Sequence, residues 1–122
     1  MADLEYADLI GVPFKKAARG PDSFDCYGLV REMCRRAGKD VPNYPTHSSL
    51  ETENAQILSG MEEWKPTTEK PGAVAVFRVM GKLHVGYILP YGKMIHAWER
   101  SGGVIVERFE PWKRRVIGYY EY

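Results

Sequence analysis

The sequence predicts an α+β fold, with N-terminal helices packed on a small antiparallel β-sheet. Three observations carry that expectation. Helical apolar spacing is confined to the first half of the chain, strand-like apolar runs begin at Pro71, and turn signals suited to hairpins separate those runs. The 122 residues make a single domain, 1–122, long enough for a modest core.

Residues 2–10 (ADLEYADLI) read as a short helix ended by Gly11 and Pro13. The stretch 14–23, with Gly20-Pro21, reads as a loop delivering the chain to a central helix over about 26–37. Asp25 is a good N-cap for that helix, because its carboxylate can accept an unpaired backbone N–H of the first turn. Leu29, Val30, Met33, Cys34 and Ala37 share one helix face, Arg31, Glu32, Arg35 and Arg36 the other, and Gly38 is placed as the stop. Val41-Pro42-Asn43-Tyr44-Pro45 cannot continue the helix. Leu50, Ile57, Leu58 and Met61 place a further helix within 47–63, capped by Ser48 or Ser49. Strands are expected at 73–80, 83–89, 93–98, 104–109 and 116–120. Pro90-Tyr91-Gly92 and Gly102-Gly103 supply turns between them.

Lys plus Arg number 17 against 16 Asp plus Glu, a balance that argues against nucleic acid or an anionic membrane as the main partner. No apolar run approaches the roughly 20 residues that span a bilayer, so no membrane insertion is expected. The start, Met-Ala-Asp-Leu-Glu-Tyr, has neither the basic nor the apolar segment of a secretory signal, which predicts synthesis in the cytoplasm without a signal peptide. Cys26 and Cys34 lie on one predicted helix, about 12 Å apart along its axis, and are expected as two free thiols.

Cys26 falls at the helix start, where the dipole lowers a thiol pKa and favours thiolate. A nucleophilic cysteine needs a base and a group to orient that base. His84 begins one strand and His96 lies in the next, both at even positions, so strand alternation lets them share a face. A loop centred on Tyr91-Gly92 offsets them by about three positions, roughly 10 Å, a gap that a wider loop or a bulge closes. His47, in the exit loop, has no comparable setting. Cys34 reads as a small buried hydrophobe, and a strand histidine can be purely structural. A zinc set of Cys26, Cys34, His84 and His96 has suitable ligand types but lacks C-x-x-C or H-x-x-x-H spacing. Tyr119, Tyr120 and Tyr122 read as strand residues covering a sheet edge.

The ordered set Phe24-Asp25-Cys26-x-Gly28-Leu29-Val30, Pro71-Gly72-x-x-x-x-Phe77, His84-Val85-Gly86-x-x-Leu89 and Ile95-His96-Ala97 resembles the NlpC family of papain-like cell-wall cysteine peptidases. Gly11-Val12-Pro13-Phe14, Gly38 and Val41-Pro42 fit as well, so the resemblance runs from about residue 9 to the end. It implies a papain-like NlpC fold, Cys26 as nucleophile, His84 as general base and acid, and His96 as the residue orienting His84. Tyr27, Asp25 and Phe14 are the implied substrate-binding positions. The implied reaction is hydrolysis of a peptidoglycan stem-peptide amide, typically between D-glutamate and diaminopimelate or lysine, with no metal or organic cofactor. Two positions depart from the family pattern. Tyr27 stands where Ser commonly follows the nucleophile, and Phe14 where a Tyr hydroxyl is often found. The aromatic after the cysteine resembles the phage-tail branch, which implies tail-tip proteins as partners and a virion-associated location acting at the wall. Two other readings stand beside it: a structural tail-assembly module of the same fold with little activity, and a thiol acyltransferase or deamidase.

Overall fold

A computed structural model describes residues 5–43 and 63–122. Over these residues one α-helix, α1 (Cys26–Arg36), lies on a six-stranded antiparallel sheet. The strands are β1 (Lys65–Pro66), β2 (Val74–Val79), β3 (Lys82–Leu89), β4 (Lys93–Trp98), β5 (Gly103–Arg108) and β6 (Val116–Glu121), in the order β1-β6-β2-β3-β4-β5. This is the predicted α+β class. The helix proposed within 47–63, and His47, lie outside the described residues.

The local signals of α1 are all used. Asp25 Oδ1 accepts the Gly28 N–H at 2.6 Å, as an N-cap should. At the other end Gly38 takes φ +84°, the Lys39 N–H reaches Cys34 O and the Gly38 N–H reaches Arg35 O, a Schellman ending. Leu29, Val30, Met33 and Cys34 are buried against β3 and β4. Ala37, expected on that face, is exposed because it is already the C-cap. Outside, Glu32 pairs with Arg35 and Arg36.

The helix expected over 2–10 is reduced among described residues to one 3-10 turn, Ala7–Leu9. A helix this short does not recover its nucleation cost, and the sheet offers a better use of the backbone. Gly11 N–H bonds Val104 O, Val104 N–H bonds Val12 O and Phe14 N–H bonds Gly102 O, so the segment covers the β5 edge. Gly103 permits this approach, since a Cβ there would sit 2.4 Å from Val12 O.

The loop that follows folds back on the start of α1, with Asp25 N–H on Ala18 O at 2.9 Å. Gly28 is therefore crowded: a Cβ would lie 2.4 Å from Ala18 O and 2.9 Å from Asp25 Oδ1. Gly28→Ala should destabilise the protein by about 1–3 kcal/mol, the clash outweighing the gain of up to about 1 kcal/mol in helix propensity. A urea denaturation midpoint at or above that of the wild type would refute this.

Strands β2 to β5 form the expected consecutive hairpins. Two features depart from the sequence reading. After β5 a 3-10 turn, Glu110–Arg115, carries the chain across the sheet, so β6 pairs with β2 at the far side. β1 then pairs with β6, a two-residue strand hidden in sequence by its proline. The sheet buries both faces. Val74, Val76, Val85, Tyr87, Leu89, Ile95, Ala97 and Val104 meet α1, while Ala73, Ala75, Phe77, Ile88, Met94 and Phe109 form a second cluster on the other face.

Candidate active site

The β3–β4 ladder runs from Leu89↔Lys93 to Tyr87↔Ile95 and stops there, whereas β3 continues along β2 and β4 along β5. The two central strands therefore part at the level of Val85 and His96. Ile88 donates its N–H toward β2, to Ala73 O at 2.9 Å, so by alternation the Val85 N–H points toward β4. That N–H goes to the Cys26 sulfur instead. The first residue of α1 thus fills the opening in the sheet.

The histidines reach the same opening from the other face. His84 pairs with Phe77 in the β2–β3 register, and its ring packs edge-on to Trp98 at 4.6 Å between centroids. Carried past its end, the β3–β4 register would set Trp98 opposite His84 and His96 opposite Gly86. The offset of the two histidines is thus two positions, a diagonal pair, rather than the three expected from the turn. The splayed strands let the rings meet, and His84 Nε2 lies 2.8 Å from His96 Nδ1. Both are buried, at 6% and 0% exposure. Trp112, on the 3-10 turn, closes over them at 5.2 Å from the His96 ring and 4.9 Å from Trp98.

The structure thus joins His84 to His96 directly and brings Cys26 to the backbone one residue beyond His84. No direct hydrogen bond links the thiol to the His84 ring among the described residues. Such contacts are often loose before substrate binds. The remaining expected residues are structurally engaged. Both oxygens of Asp25 are used, one by the Gly28 N–H and one by the Arg19 guanidinium. Tyr27 is anchored through its hydroxyl to Pro42 O at 2.5 Å, with the Arg19 guanidinium 5.3 Å from its ring centroid. Phe14 bridges to Phe24 and packs against the first core cluster.

The electrostatics correct one expectation. The helix dipole does not leave Cys26 as a ready thiolate, because its pKa is pushed up to about 11. Burial is the main cause and the Asp25 carboxylate the next; the Val85 N–H, Lys82 and the Tyr27 N–H oppose them and lose. His84 titrates well below the usual histidine range, through burial first, then His96 and Lys82. His96 is lowered by burial, partly offset by Glu107. The resting site is thiol plus two neutral imidazoles. Cys34 is buried, with its thiol also raised to about 11 by desolvation.

Asp25→Asn tests the charge contribution, since asparagine caps a helix as well as aspartate. Alkylation of Cys26 by iodoacetamide at pH 8 should quicken roughly threefold to tenfold, as a larger fraction becomes thiolate. An unchanged rate would mean that the carboxylate does not set the thiol's acidity.

Sequence reasoning missed Glu107, whose Oε2 lies 2.7 Å from His96 Nε2. It also missed the enclosing Trp98 and Trp112. The signal for Glu107 was available: it is the charged residue on the alternate positions of a strand, and β5 sets its neighbour Ile105 opposite His96. Its side chain is 35% exposed, on a shallow cleft of about 450 Å³ that it lines with His96, Trp98 and Trp112. No helix of the described residues is long and apolar enough to cross a membrane.

The profile of the NlpC/P60 family matches residues 11–121. A probable endopeptidase of Corynebacterium glutamicum is 32% identical over 92 residues, covering 75% of this chain and 39% of that protein. The chain therefore spans about two fifths of the length of that relative. NlpC1 from Trichomonas vaginalis matches with a TM-score of 0.70 at 23% identity, over 94% of this chain and 40% of that one. The NlpC/p60 domain of the peptidoglycan hydrolase SagA matches with a TM-score of 0.60 at 22% identity, over 93% and 89%. At such identities the solved structures speak for the fold. With the family profile extending over nearly the whole length, from the segment on the β5 edge to the last strand, this chain belongs to the NlpC/P60 family.

Proposed function

We propose that the protein is a cysteine endopeptidase that hydrolyses amide bonds in peptidoglycan stem peptides, of the D-glutamyl–diaminopimelate or D-glutamyl–lysine type. The observation that carries this reading is the Cys26 thiol held on the Val85 N–H, the residue after His84 of the His84–His96 pair, where strands β3 and β4 part. The endopeptidase names of the relatives support it.

The chemistry follows from the resting protonation states. Neutral His84 accepts the thiol proton as Cys26 Sγ attacks the carbonyl carbon, so thiolate forms only as it is consumed. The Gly28 N–H is taken by Asp25, which assigns the oxyanion of the tetrahedral intermediate to the Cys26 N–H at the positive end of α1. His84 then protonates the departing amine, leaving a thioester. Water, deprotonated by His84, releases the acid and restores the thiol. Digestion of purified sacculi, followed by mass analysis of the fragments, tests the reading. Expected are products with a free amine on diaminopimelate or lysine, absent with Cys26→Ala. Intact stem peptides after prolonged digestion with active-site-competent protein would reject it.

We place this activity in a phage or prophage tail, where the enzyme aids wall penetration beside tail-tip proteins after synthesis in the bacterial cytoplasm. Tyr27, at the position where the family commonly has serine, supports that placement. Mass spectrometry of purified virions from a producing strain should detect the chain, and its absence from them would reject the tail role.

A further inference from the structure

We propose that Glu107 is a positioning residue of the site: by accepting the His96 Nε2–H it sets the tautomers of both histidines and leaves the His84 Nδ1 lone pair to take the Cys26 proton. The inference rests on the cysteine-peptidase reading above, and it concerns a residue two hydrogen bonds removed from the base.

The argument is a count of donors and acceptors. A carboxylate only accepts, so the 2.7 Å contact between Glu107 Oε2 and His96 Nε2 requires the proton on that nitrogen. His96 is wholly buried and neutral at pH 7, so it carries one proton and its Nδ1 has a lone pair. The 2.8 Å contact between His96 Nδ1 and His84 Nε2 then requires His84 to donate from Nε2. Neutral His84 has no second proton, so its Nδ1 is the acceptor. Without Glu107 the pair is degenerate. His96 could carry its proton on Nδ1 and donate to His84 Nε2, which would force the His84 proton onto Nδ1 and leave no base for the thiol.

The surroundings favour the same reading. Trp98 and Trp112 pack edge-on to His96, at 5.8 and 5.2 Å between centroids, and enclose its ring. Glu107 reaches it from the cleft on the face away from α1. His84, His96 and Glu107 are thus linked in series on one face of the sheet, and Cys26 sits on the Val85 N–H at the gap between β3 and β4. The proton passes from Sγ to His84 Nδ1 as the S–C bond forms, then to the amine nitrogen as the C–N bond breaks. Glu107 itself gains no proton.

Nitrogen-15 spectra of the histidine rings test this on the whole protein, with or without activity. In wild type both His84 and His96 should be Nε2–H tautomers. Glu107→Gln keeps an acceptor oxygen and should preserve them. Glu107→Ala, and the similarly sized Glu107→Met as a safeguard for folding, should move His96 into a tautomer mixture with His84 following. Both should lower kcat on peptidoglycan fragments roughly 10- to 100-fold with KM little changed. A wild-type His84 protonated on Nδ1, or folded Ala and Met variants with unchanged tautomers, would overturn the proposal. Should wild type leave peptidoglycan intact, the peptidase reading fails while the ring spectra still decide the role of Glu107.

Discussion

Cys26→Ala should remove peptidoglycan hydrolysis altogether, a loss of roughly 10⁴-fold or more, with the fold retained. The size of the effect follows from the absence of a substitute: Cys34 is buried in the face of α1 that meets the sheet. Cys26→Ser should be nearly as inactive. A hydroxyl is a far weaker acid than a thiol, and His84, titrating well below the normal range, is a weak base that cannot activate it. Cys34→Ala provides the contrast, costing stability by about 1–2 kcal/mol through lost burial while sparing turnover. Digestion assays on the three variants, each with a melting curve, check the set. Residual hydrolysis by Cys26→Ala above a few thousandths of wild type would remove Cys26 from the nucleophile's role.

His84→Ala should cost roughly 10²- to 10⁴-fold in kcat/KM, and His96→Ala less, because a base contributes more than the group that orients it. The pH dependence carries the sharper information. The competent resting form has a neutral imidazole and an intact thiol. Below the histidine range the lowered pKa of His84 keeps the base unprotonated further into acid than usual, so the acid limb should fall below pH 6.5. Above neutrality the raised thiol should keep activity level toward its pKa of about 11, as far as the fold survives. A site holding a preformed thiolate–imidazolium pair behaves oppositely, losing activity near pH 8 as the imidazolium gives up its proton. A descending limb there in the kcat/KM profile would refute the neutral resting state. Because His84 and His96 are hydrogen-bonded, the acid limb belongs to the pair rather than to either ring.

The contrast between α1 and the site shows where sequence reasoning succeeds. Asp25, the apolar positions 29, 30, 33 and 34, and Gly38 act within a few residues of one another. Capping, amphipathic burial and a left-handed stop are all local interactions, and each appears in the structure where the spacing puts it. The hairpins from β2 to β5 are nearly as local, since their turns lie between adjacent apolar runs. Legibility faded once partners became distant. The helix expected at 2–10 yielded to pairing with β5, and β6 crossed to the far side of β2. Neither outcome leaves a periodicity in the segment concerned.

By itself the sequence determined the class of the fold, the place of Cys26 at a helix start and the common face of His84 and His96. These rest on repeats of 3.6 and 2 residues and on local capping. Only the tertiary structure decided how Cys26 and His84 come to one opening from opposite faces of one sheet. The β3–β4 ladder breaks beyond Tyr87↔Ile95, and the unpaired Val85 N–H receives the sulfur. The tertiary structure also decided the acidity of the site, because burial and the Asp25 charge outweigh the Val85 N–H, Lys82 and the Tyr27 N–H at Cys26. Enclosure and charge proximity are properties of the assembled chain, and no spacing along the sequence encodes their balance.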